Sequence, residues 1–557
     1  MEEQKPRLLD SQFAKFLAKR STISGKFREQ FAQLVCKLSM SLAAGDSCIA
    51  LTEEEEGLVR SSGLAGTEAN PLVVWQGRLY LQKIFAHERR LAENLKRLTA
   101  DSSSLVRDEA LLDTLFGGVD SGEVNWQRIS AERALEQKFL IISGGPGTGK
   151  TSTVVKILAL LVSAMGPELR VGLAAPTGKA AMRLQESIGH SISQLPIHDL
   201  IKAAIPGQAH TLHRLLGVRR FSPYFFHHGD NPLSYDVVVV DEASMVDLAL
   251  MSKLVDALRP GSRLILLGDR NQLASVESGA VLADLIAALP DNTVELQKSY
   301  RFDGGIKGFA EAVNSGDSSR AWAIMTGKEP GNISLLQEEV ADYGGEKYCR
   351  YMEAVCQART LHDYGKLFSF LHSFKILCAL RNGKAGVTGV NAQVERYLTA
   401  RGYDCFGSPW YPGRPVMVTR NDYALDLYNG DIGICMPDPE QPDIMKVWFE
   451  RSATILQGML PGRLSACETV YALTIHKSQG AEIDEVLVVL PEHDSALVTR
   501  ELLYTAVTRA ARCVRIRGRQ AVFDTAVSRK IERFSGLVLR FRKNELSADV
   551  RASADKE

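Results

Sequence analysis

The sequence predicts an α/β protein in which two successive α/β folds follow a helical segment, with a small β-rich insertion in the second fold. Three observations support this prediction. Short apolar runs, each followed by a polar motif, recur from about 120 to 300 and again after 375. The first hundred residues instead carry apolar residues at three- and four-residue spacing, which is typical of helices. At 557 residues the chain is long enough for three or four domains, each with its own core.

The composition excludes a membrane-spanning segment and a protein with a large net positive charge. The 66 basic residues balance 66 acidic ones, so a nucleic-acid partner would have to be contacted through a local groove. No stretch approaches the roughly 20 apolar residues of a span, and the charged N-terminus "MEEQKPRLLD" lacks a secretory signal. We therefore expect a cytoplasmic location. The nine cysteines are scattered without a CxxC pair, which favours reduced, mostly buried thiols over a metal site.

Residues 1–118 are predicted to form a helical N-terminal domain. The segments "DSQFAKFLAKR" and "FAHERRLAENLKRL" have helical apolar spacing. Thr52 and Glu55 have the spacing of a capping box, so we interpret the acidic run "LTEEEEG" as a solvated helix start rather than an interaction patch. A segment rich in Gly, Asp and Ser, 116–125, indicates a linker.

The first α/β fold is predicted over residues 119–300. Its apolar runs at 139–142, 171–175, 237–240 and 264–267 suit parallel strands that are buried on both faces. A polar motif follows each run, at the strand ends where ligands of open α/β sheets bind. We therefore expect a ligand site along this edge of the sheet.

The first of these motifs, "GGPGTGKT", fits the GxxxxGK[ST] phosphate loop. Its residues are Gly144, Gly145, Pro146, Gly147, Thr148, Gly149, Lys150 and Thr151. The glycines let backbone amides turn inward around phosphates, Lys150 can reach the β- and γ-phosphates, and Thr151 can bind Mg²⁺. An apolar strand precedes the motif and a helical segment follows it, which indicates a nucleotide site.

The next motifs indicate that the nucleotide is hydrolysed. Asp241 and Glu242 directly follow the run that ends at Val240, and they can supply one carboxylate for Mg²⁺ and one base for the attacking water. In "LLGDRNQLASVESG", Gln272 follows another buried strand and can bond the γ-phosphate or the water. A nucleotide switch would not need this set of groups.

Two arginines far from the phosphate loop complete the pattern. Arg301 lies in "QKSYRF" and Arg509 in "ELLYTAVTRA". A cation from an opposing domain neutralises transition-state charge when the domains close, and such an arginine finger is worth about 10³ to 10⁵ in rate. The order of the motifs favours this role over a surface ion pair.

The second α/β fold is predicted over 301–404 and 466–545, around a strand-rich insertion at 405–465. Its strand signals are "KILCALRNG", "EVLVVL" and "RCVRIRG". Because the sequence contains one phosphate loop, we expect this fold to supply the lid and finger of a single site. Residues 546–557 are predicted to be a polar tail.

Eight ordered segments resemble the helicase motifs of superfamily 1, in the form of the RecD branch. They are "GGPGTGKTST", "APTGKAAMRL", "HTLHRLLG", "VVDEASMVDL", "GDRNQLASVESG", "QKSYRF", "TIHKSQGAE" and "LLYTAVTRA". The resemblance runs from about 120 to 540. It implies two RecA-like P-loop motor domains, a small 1B hairpin near 218–234 in the first and an SH3-like 2B insertion in the second.

The resemblance also implies an activity and partners. It implies a 5′→3′ single-stranded DNA translocase and helicase driven by ATP and Mg²⁺. Such a chain is the motor subunit of the exodeoxyribonuclease V complex, where it works with RecB and RecC on broken duplex ends and a partner holds the nuclease. The segments "LLDSQFAKFLAK" and "LAAGDSCIAL" resemble the N-terminal domain of that subunit, which implies that this domain contacts a partner.

Roles carried over from the resemblance fall into two groups. At the nucleotide, the implied residues are Gln127 for adenine, Glu482 near the ribose, Thr151 and Asp241 for the metal, Glu242 as base, Gln272 as γ-phosphate sensor, and Arg301 and Arg509 as fingers. At the DNA strand, they are Pro176, Thr177, Gly178, Lys179 and His213 in the first fold, and Thr474, His476 and Gln479 in the second.

Several alternatives stay open. The aromatic segment "RRFSPYFFHHGD" lies where relatives carry a strand-separating pin, but Phe221, Tyr224, Phe225 and Phe226 would equally suit a core or a protein interface. The chain could also be a free-standing repair helicase, an RNA-directed relative, or an ATPase switch that regulates a partner nuclease-helicase.

Overall fold

The computed structural model of the protein describes residues 5–66, 69–101, 105–117, 124–219, 222–275, 277–298, 304–327, 331–422, 424–452, 455–464 and 466–542. Arg301, Phe221 and the predicted tail lie outside these residues. Within them, every helix is too short or too polar to cross a membrane.

The N-terminal domain combines helices with a small antiparallel sheet. Its elements are α1 (Leu8–Arg20), α2 (Lys26–Ala44), β1 (Ile49–Ala50), α3 (Glu53–Ser61), β2 (Leu72–Trp75), β3 (Arg78–Leu81), α4 (Gln82–Ala100) and α5 (Glu109–Phe116). The strand order is β1-β3-β2. Thr52 caps α3 and exchanges hydrogen bonds with Glu55, as a capping box requires.

The predicted helical domain therefore also contains a three-stranded sheet that was not predicted. Strands β2 and β3 are four residues each and are joined by Gln76 and Gly77, which have φ of 48° and 65°. Two successive residues with positive φ are the turn that matches the twist of a two-residue hairpin. Strands this short give little periodicity, and Gln is an uncommon first residue of such a turn.

The first α/β fold is built on a six-stranded parallel sheet. Its elements are α6 (Trp126–Glu136), β4 (Phe139–Gly144), α7 (Lys150–Met165), β5 (Val171–Ala175), α8 (Gly178–Gln194), α9 (Asp199–Ala204), β6 (His210–Thr211), α10 (Leu212–Leu216), β7 (Val237–Val240), α11 (Leu248–Asp256), β8 (Arg263–Gly268), α12 (Val281–Ala288) and β9 (Thr293–Leu296). The order is β6-β5-β7-β8-β4-β9. Alternate side chains of β4 and β7 enter separate cores on the two faces, which confirms the buried parallel strands.

The second α/β fold carries a five-stranded parallel sheet and an antiparallel insertion. Its elements are α13 (Gly305–Ser315), α14 (Ser318–Thr326), β10 (Ile333–Leu335), α15 (Val340–Gln357), α16 (Leu361–Ser373), β11 (Phe374–Cys378), α17 (Val387–Ala400), β12 (Pro415–Val418), β13 (Ile432–Pro437), β14 (Met445–Ser452), β15 (Ile455–Met459), β16 (Cys467–Thr469), β17 (Ala472–Thr474), β18 (Ile483–Val489), α18 (Arg500–Val507), β19 (Ala510–Arg517), α19 (Gln520–Ser528) and α20 (Leu537–Phe541). The parallel order is β10-β19-β18-β11-β17, and the insertion has the order β15-β14-β13-β12-β16.

Two parallel sheets confirm the predicted α/β class. The insertion has its own small core. Its last strand, β16, lies just beyond the predicted limit at residue 465.

After α19 the chain leaves the second fold and returns to the N-terminal domain as the C-terminal strap, residues 529–542. At its end, Arg540 Nε donates to Glu88 Oε1 of α4 at 3.1 Å, and both side chains are buried. The guanidinium also covers the rings of Trp75 and Phe85, 4.1 and 4.4 Å from their centroids. The strap therefore fastens the N-terminal domain to the rest of the chain.

Replacing Glu88 with glutamine is expected to loosen this attachment. The isosteric amide leaves the buried charge of Arg540 unpaired, and breaking a buried pair costs about 3–5 kcal/mol. In native-state hydrogen exchange, the free energy of opening of the α4 and α20 amides should be lower in the variant than in the unchanged chain by that amount. Arg60→Gln, which removes the exposed pair with Glu56, is the control and should change it by less than about 1 kcal/mol. Equal protection in both variants would contradict the expectation.

Candidate active site

The phosphate loop connects β4 to the 16-residue helix α7. Gly147 and Gly149 have φ of 77° and 82°, values that residues other than glycine rarely adopt. The ammonium of Lys150 lies over the loop and donates to the carbonyls of Gly144 at 2.6 Å and Gly145 at 3.1 Å. A helix N-terminus with inward-facing amides and this lysine has the geometry of an anion site.

Two acids lie beside this loop, at the carboxyl end of β7. The amide of Glu242 donates to Asp241 Oδ1 at 2.9 Å. Burial and the charge of Glu242 raise the pKa of Asp241 to about 6, while Lys150 opposes this shift. Glu242 has a φ of 51°, which costs a residue other than glycine about 1–3 kcal/mol and is found mainly at functional sites.

The β8–α12 loop, residues 269–279, places Gln272 in the same cleft. The buried carboxylate of Asp269 accepts hydrogen bonds from the amide of Asn271 at 2.9 Å and from Gln272 Nε2 at 3.3 Å. Burial raises the pKa of Asp269. Among the described residues nothing bonds the buried Oε1 of Gln272, so this acceptor is available to a ligand.

The second fold supplies the opposite wall of the cleft. Arg509 is 3% exposed, and its Nη1 lies 4.0 Å from Glu242 Oε1. Its guanidinium is held by donation to the carbonyls of Thr505 and Ala481. The cleft measures ≈ 440 Å³ and is lined by residues of both folds. These include Lys150, Thr151, Asp241, Glu242, Gln272, Glu482 and Arg509.

Glu482 lines the cleft, whereas Gln127 lies against the phosphate loop from outside it. Gln127, on α6, donates through Nε2 to the carbonyl of Thr148 at 3.3 Å, behind the phosphate loop. Glu482 pairs with Arg183 of α8 at 2.9 Å, and Arg183 also donates to the carbonyl of Gly480. The structure thus brings together every predicted nucleotide residue that it describes.

The predicted strand-contacting residues of the first fold lie where β5 gives way to α8. Pro176 directly follows β5, Thr177 caps α8 by accepting from the amide of Ala180, and Gly178 and Lys179 begin the helix. Burial, Arg183 and Arg509 lower the pKa of Lys179 to about 8. His213 is on α10, with its ring edge-on to Phe225 at 5.6 Å.

The predicted residues of the second fold lie at the end of β17. Thr474 caps the 3-10 turn that holds His476. Gln479 is buried, and its Nε2 donates to the carbonyl of Leu273 at 2.9 Å. Its side chain therefore reaches the β8–α12 loop, on the nucleotide side of the cleft.

One ring of the aromatic segment packs against a core, and two others are exposed, as a strand-separating pin would require. Phe225 is half-buried and packs against a core, with its ring centroid 5.2 Å from the ammonium of Lys253, whereas Tyr224 and Phe226 are 71% and 52% exposed. In the described part of 218–234, pairing is limited to bridges between Val218 and Phe225 and between His228 and Asn231. The hairpin expected here is thus a compact loop with two exposed rings.

Arg183 and Tyr504 belong to the site but were not predicted. Arg183 follows Lys179 by four residues on α8, and this spacing places both on one helix face. Tyr504 donates from its hydroxyl to Asp269 Oδ2 at 2.9 Å, between the two folds. The helical spacing could have identified Arg183, while no local signal connects Tyr504 with Asp269.

Comparisons with known proteins agree with this geometry. Residues 127–278 match the family model of an AAA domain, and residues 469–516 match that of a UvrD-like helicase C-terminal domain. The RecBCD enzyme subunit RecD of Mycolicibacterium smegmatis is 42% identical over 86% of this chain and 86% of its own length. That of Haemophilus influenzae is 32% identical over 84% of this chain and 80% of its own.

The chain also has more distant similarities. The ATP-dependent RecD2 DNA helicase of Deinococcus radiodurans is 31% identical over 84% of this chain but only 59% of its own length. A solved Bacteroides Pif1 helicase covers 78% of this chain at 17% identity with a TM-score of 0.41, which is too distant to compare residues. With its motifs in order and identity of up to 42% along most of its length, this chain belongs to the RecD family of superfamily 1 helicases.

Proposed function

We propose that the chain is an ATP-dependent 5′→3′ single-stranded DNA translocase and helicase, the motor subunit of an exodeoxyribonuclease V complex with RecB and RecC. The observation that carries the proposal is a single cleft with Lys150 and Glu242 from one fold and Arg509 from the other. The relatives named as RecBCD subunits support the partners and the DNA substrate. We also propose a cytoplasmic location, which suits a chain that acts on broken DNA ends. We propose that a partner subunit carries the nuclease activity of the complex.

The residues of the cleft fit ATP and Mg²⁺. Phosphates would lie on the amides of the phosphate loop beside Lys150, and the Thr151 hydroxyl with the Asp241 carboxylate is a hard oxygen donor set suited to Mg²⁺. Bound Mg²⁺ supplies positive charge that neutralises the β- and γ-phosphate oxygens. We propose that Gln127, behind the phosphate loop, contacts the adenine and that Glu482, in the lining of the cleft, lies near the ribose.

Each side chain has a separate part in hydrolysis. Glu242 accepts a proton from the attacking water, and the free Oε1 of Gln272 accepts the water's second hydrogen bond. Lys150 and Arg509 neutralise the charge that develops on the transferred group. We propose the same charge-neutralising role for Arg301.

Hydrogen bonds between the two folds connect this chemistry with movement. The amide of Leu273, next to Gln272, donates to Thr505 Oγ1 at 2.9 Å, and its carbonyl accepts from Gln479. Loss of the γ-phosphate would therefore alter contacts between the folds. If each fold grips the strand, through Lys179 and His213 in the first and Thr474 and His476 in the second, alternate closure and opening becomes a step along it.

A strand-displacement assay of the full chain on 5′-tailed and 3′-tailed duplexes tests the proposal. We expect unwinding of the 5′-tailed substrate only, and ATPase that is stimulated by single-stranded DNA. Stimulated ATPase without displacement in the presence of RecB and RecC would favour the switch alternative. Equal stimulation by RNA would favour an RNA-directed relative, and failure to co-purify with two large chains would favour a free-standing helicase.

Replacing both Tyr224 and Phe226 with alanine is expected to reduce unwinding roughly tenfold, because ring–base stacking contributes about 1–3 kcal/mol per base. The ATPase stimulated by single-stranded DNA should stay near its original rate. Phe225→Ala is the control, since its half-buried ring packs against the core of the first fold and its loss should lower Tm instead. Equal losses of unwinding and ATPase in the double variant would contradict a strand-separating role.

A further inference from the structure

The β8–α12 loop is held largely by parts of the chain outside the first fold. On the side of Gln272, the hydroxyl of Tyr504 and the Oγ1 of Thr505 bond Asp269 and Leu273 across the cleft. The part of the loop near Gln272 is therefore attached to the second fold.

Those last residues are bound by Arg533 of the C-terminal strap. Its Nη2 donates to the carbonyl of Ser275 at 2.5 Å, and its Nη1 donates to the carbonyls of Glu277 at 2.8 Å and Gly279 at 3.0 Å. A planar guanidinium can hold three carbonyls in fixed positions, which an ammonium on a flexible stem does less well. One side chain therefore binds the end of the loop at Ser275, Glu277 and Gly279.

The N-terminal domain forms the third side of this junction. The carbonyl of Gly45, at the end of α2, accepts from the amide of Gly279 at 2.8 Å, and the carbonyl of Leu42 accepts from Ser278 Oγ at 3.4 Å. A Cβ on Gly45 would lie 2.7 Å from Arg533 Cζ. The guanidinium is therefore enclosed between the loop and the end of α2.

We propose that Arg533 is a positioning residue for ATP hydrolysis. By binding the carbonyls of Ser275, Glu277 and Gly279 it sets where Gln272, three residues before Ser275, meets the nucleotide, and it makes that position depend on the N-terminal domain. The proposal rests on the function proposed above. It predicts that a domain without any of the nucleotide motifs influences turnover through one guanidinium.

Steady-state ATPase of the full chain with single-stranded DNA tests this role. Arg533→Gln should lower kcat about 10- to 100-fold, as displacement of a catalytic group by about 1 Å can. The KM for ATP and the Kd of a fluorescent ADP analogue should stay within twofold. Lys530→Gln removes an equal charge from an exposed position of the same strap and should match the unchanged chain.

A double-mutant cycle identifies the residue through which Arg533 acts. In a Gln272→Ala background, Arg533→Gln should cost little further kcat, because the group that it positions is already absent. Additive losses would overturn the proposal. If Arg533→Gln does not fold, Arg533→Lys, which keeps the charge but not the fork, should show an intermediate kcat, and a wild-type kcat for it would overturn the proposal.

A second pair of variants tests the contribution of the N-terminal domain. Gly45→Ala places a methyl group against Arg533 and should lower kcat without a change in nucleotide affinity. Gly25→Ala, at the other end of α2, also replaces a glycine with positive φ, 60°, but has nothing within 4 Å of the added carbon. Equal kcat values for these two variants would remove the N-terminal link. A wild-type chain without ATPase would instead contradict the proposed function itself.

Discussion

A chain with glutamine in place of Lys150 is expected to lose ATP hydrolysis by about 10²- to 10³-fold, and with it translocation and unwinding, because removing one positioned group that stabilises transition-state charge costs about this much. The ammonium lies 2.6 Å from the carbonyl of Gly144, inside the loop that would surround the phosphates. Glutamine is too short to reach the γ-phosphate and carries no charge. ATPase with saturating single-stranded DNA, followed by strand displacement, measures both losses.

A neighbouring lysine provides the control for that variant. Lys156 is on the same helix, but its ammonium lies 4.9 Å from the ring centroid of Phe116, away from the cleft. Lys156→Gln should keep most of the activity, and both variants should keep the circular dichroism spectrum of the original chain. Unimpaired unwinding by the Lys150 variant would remove the assignment of the cleft as the site of hydrolysis.

The two parallel sheets were predictable because their strands are buried on both faces and are therefore apolar at consecutive positions. Strands β4 and β7 show this directly, since alternate residues enter two different cores. The sheet of the N-terminal domain was not predictable on this basis. Its strands are two to four residues long, and a turn at Gln76 and Gly77 that depends on backbone conformation joins two of them.

The site shows the same division between local and distant information. The phosphate loop that leads to Lys150 directly follows one strand and Asp241 directly follows another, so their motifs are contiguous in sequence and their meeting follows from the topology. Arg533 is 258 residues from the carbonyl of Ser275 that it binds, and Tyr504 is 235 residues from Asp269. Contacts of this kind depend on how whole domains pack, and a single sequence contains no periodicity or spacing that reports them.

Arg509→Ala is expected to leave ATP binding near normal while turnover falls by about 10³ to 10⁵, the range for removal of an arginine finger. Arg509 belongs to the second fold, whereas the phosphate loop that binds the nucleotide belongs to the first. Its Nη1 is 4.0 Å from Glu242, so the guanidinium faces the base across the cleft. Single-turnover hydrolysis and the Kd of a fluorescent ATP analogue separate the two effects.

The control is Arg512→Ala, because this side chain is 80% exposed and three residues further along the chain. A purely structural role for Arg509, whose guanidinium also bonds the carbonyls of Thr505 and Ala481, would lower Tm and raise the Kd for ATP together. If Arg509 is an arginine finger, the variant should instead stop in the ATP-bound state. The variant should bind ATP, close the folds and then remain closed, so its affinity for single-stranded DNA in ATP should equal that of the original chain with a non-hydrolysable analogue.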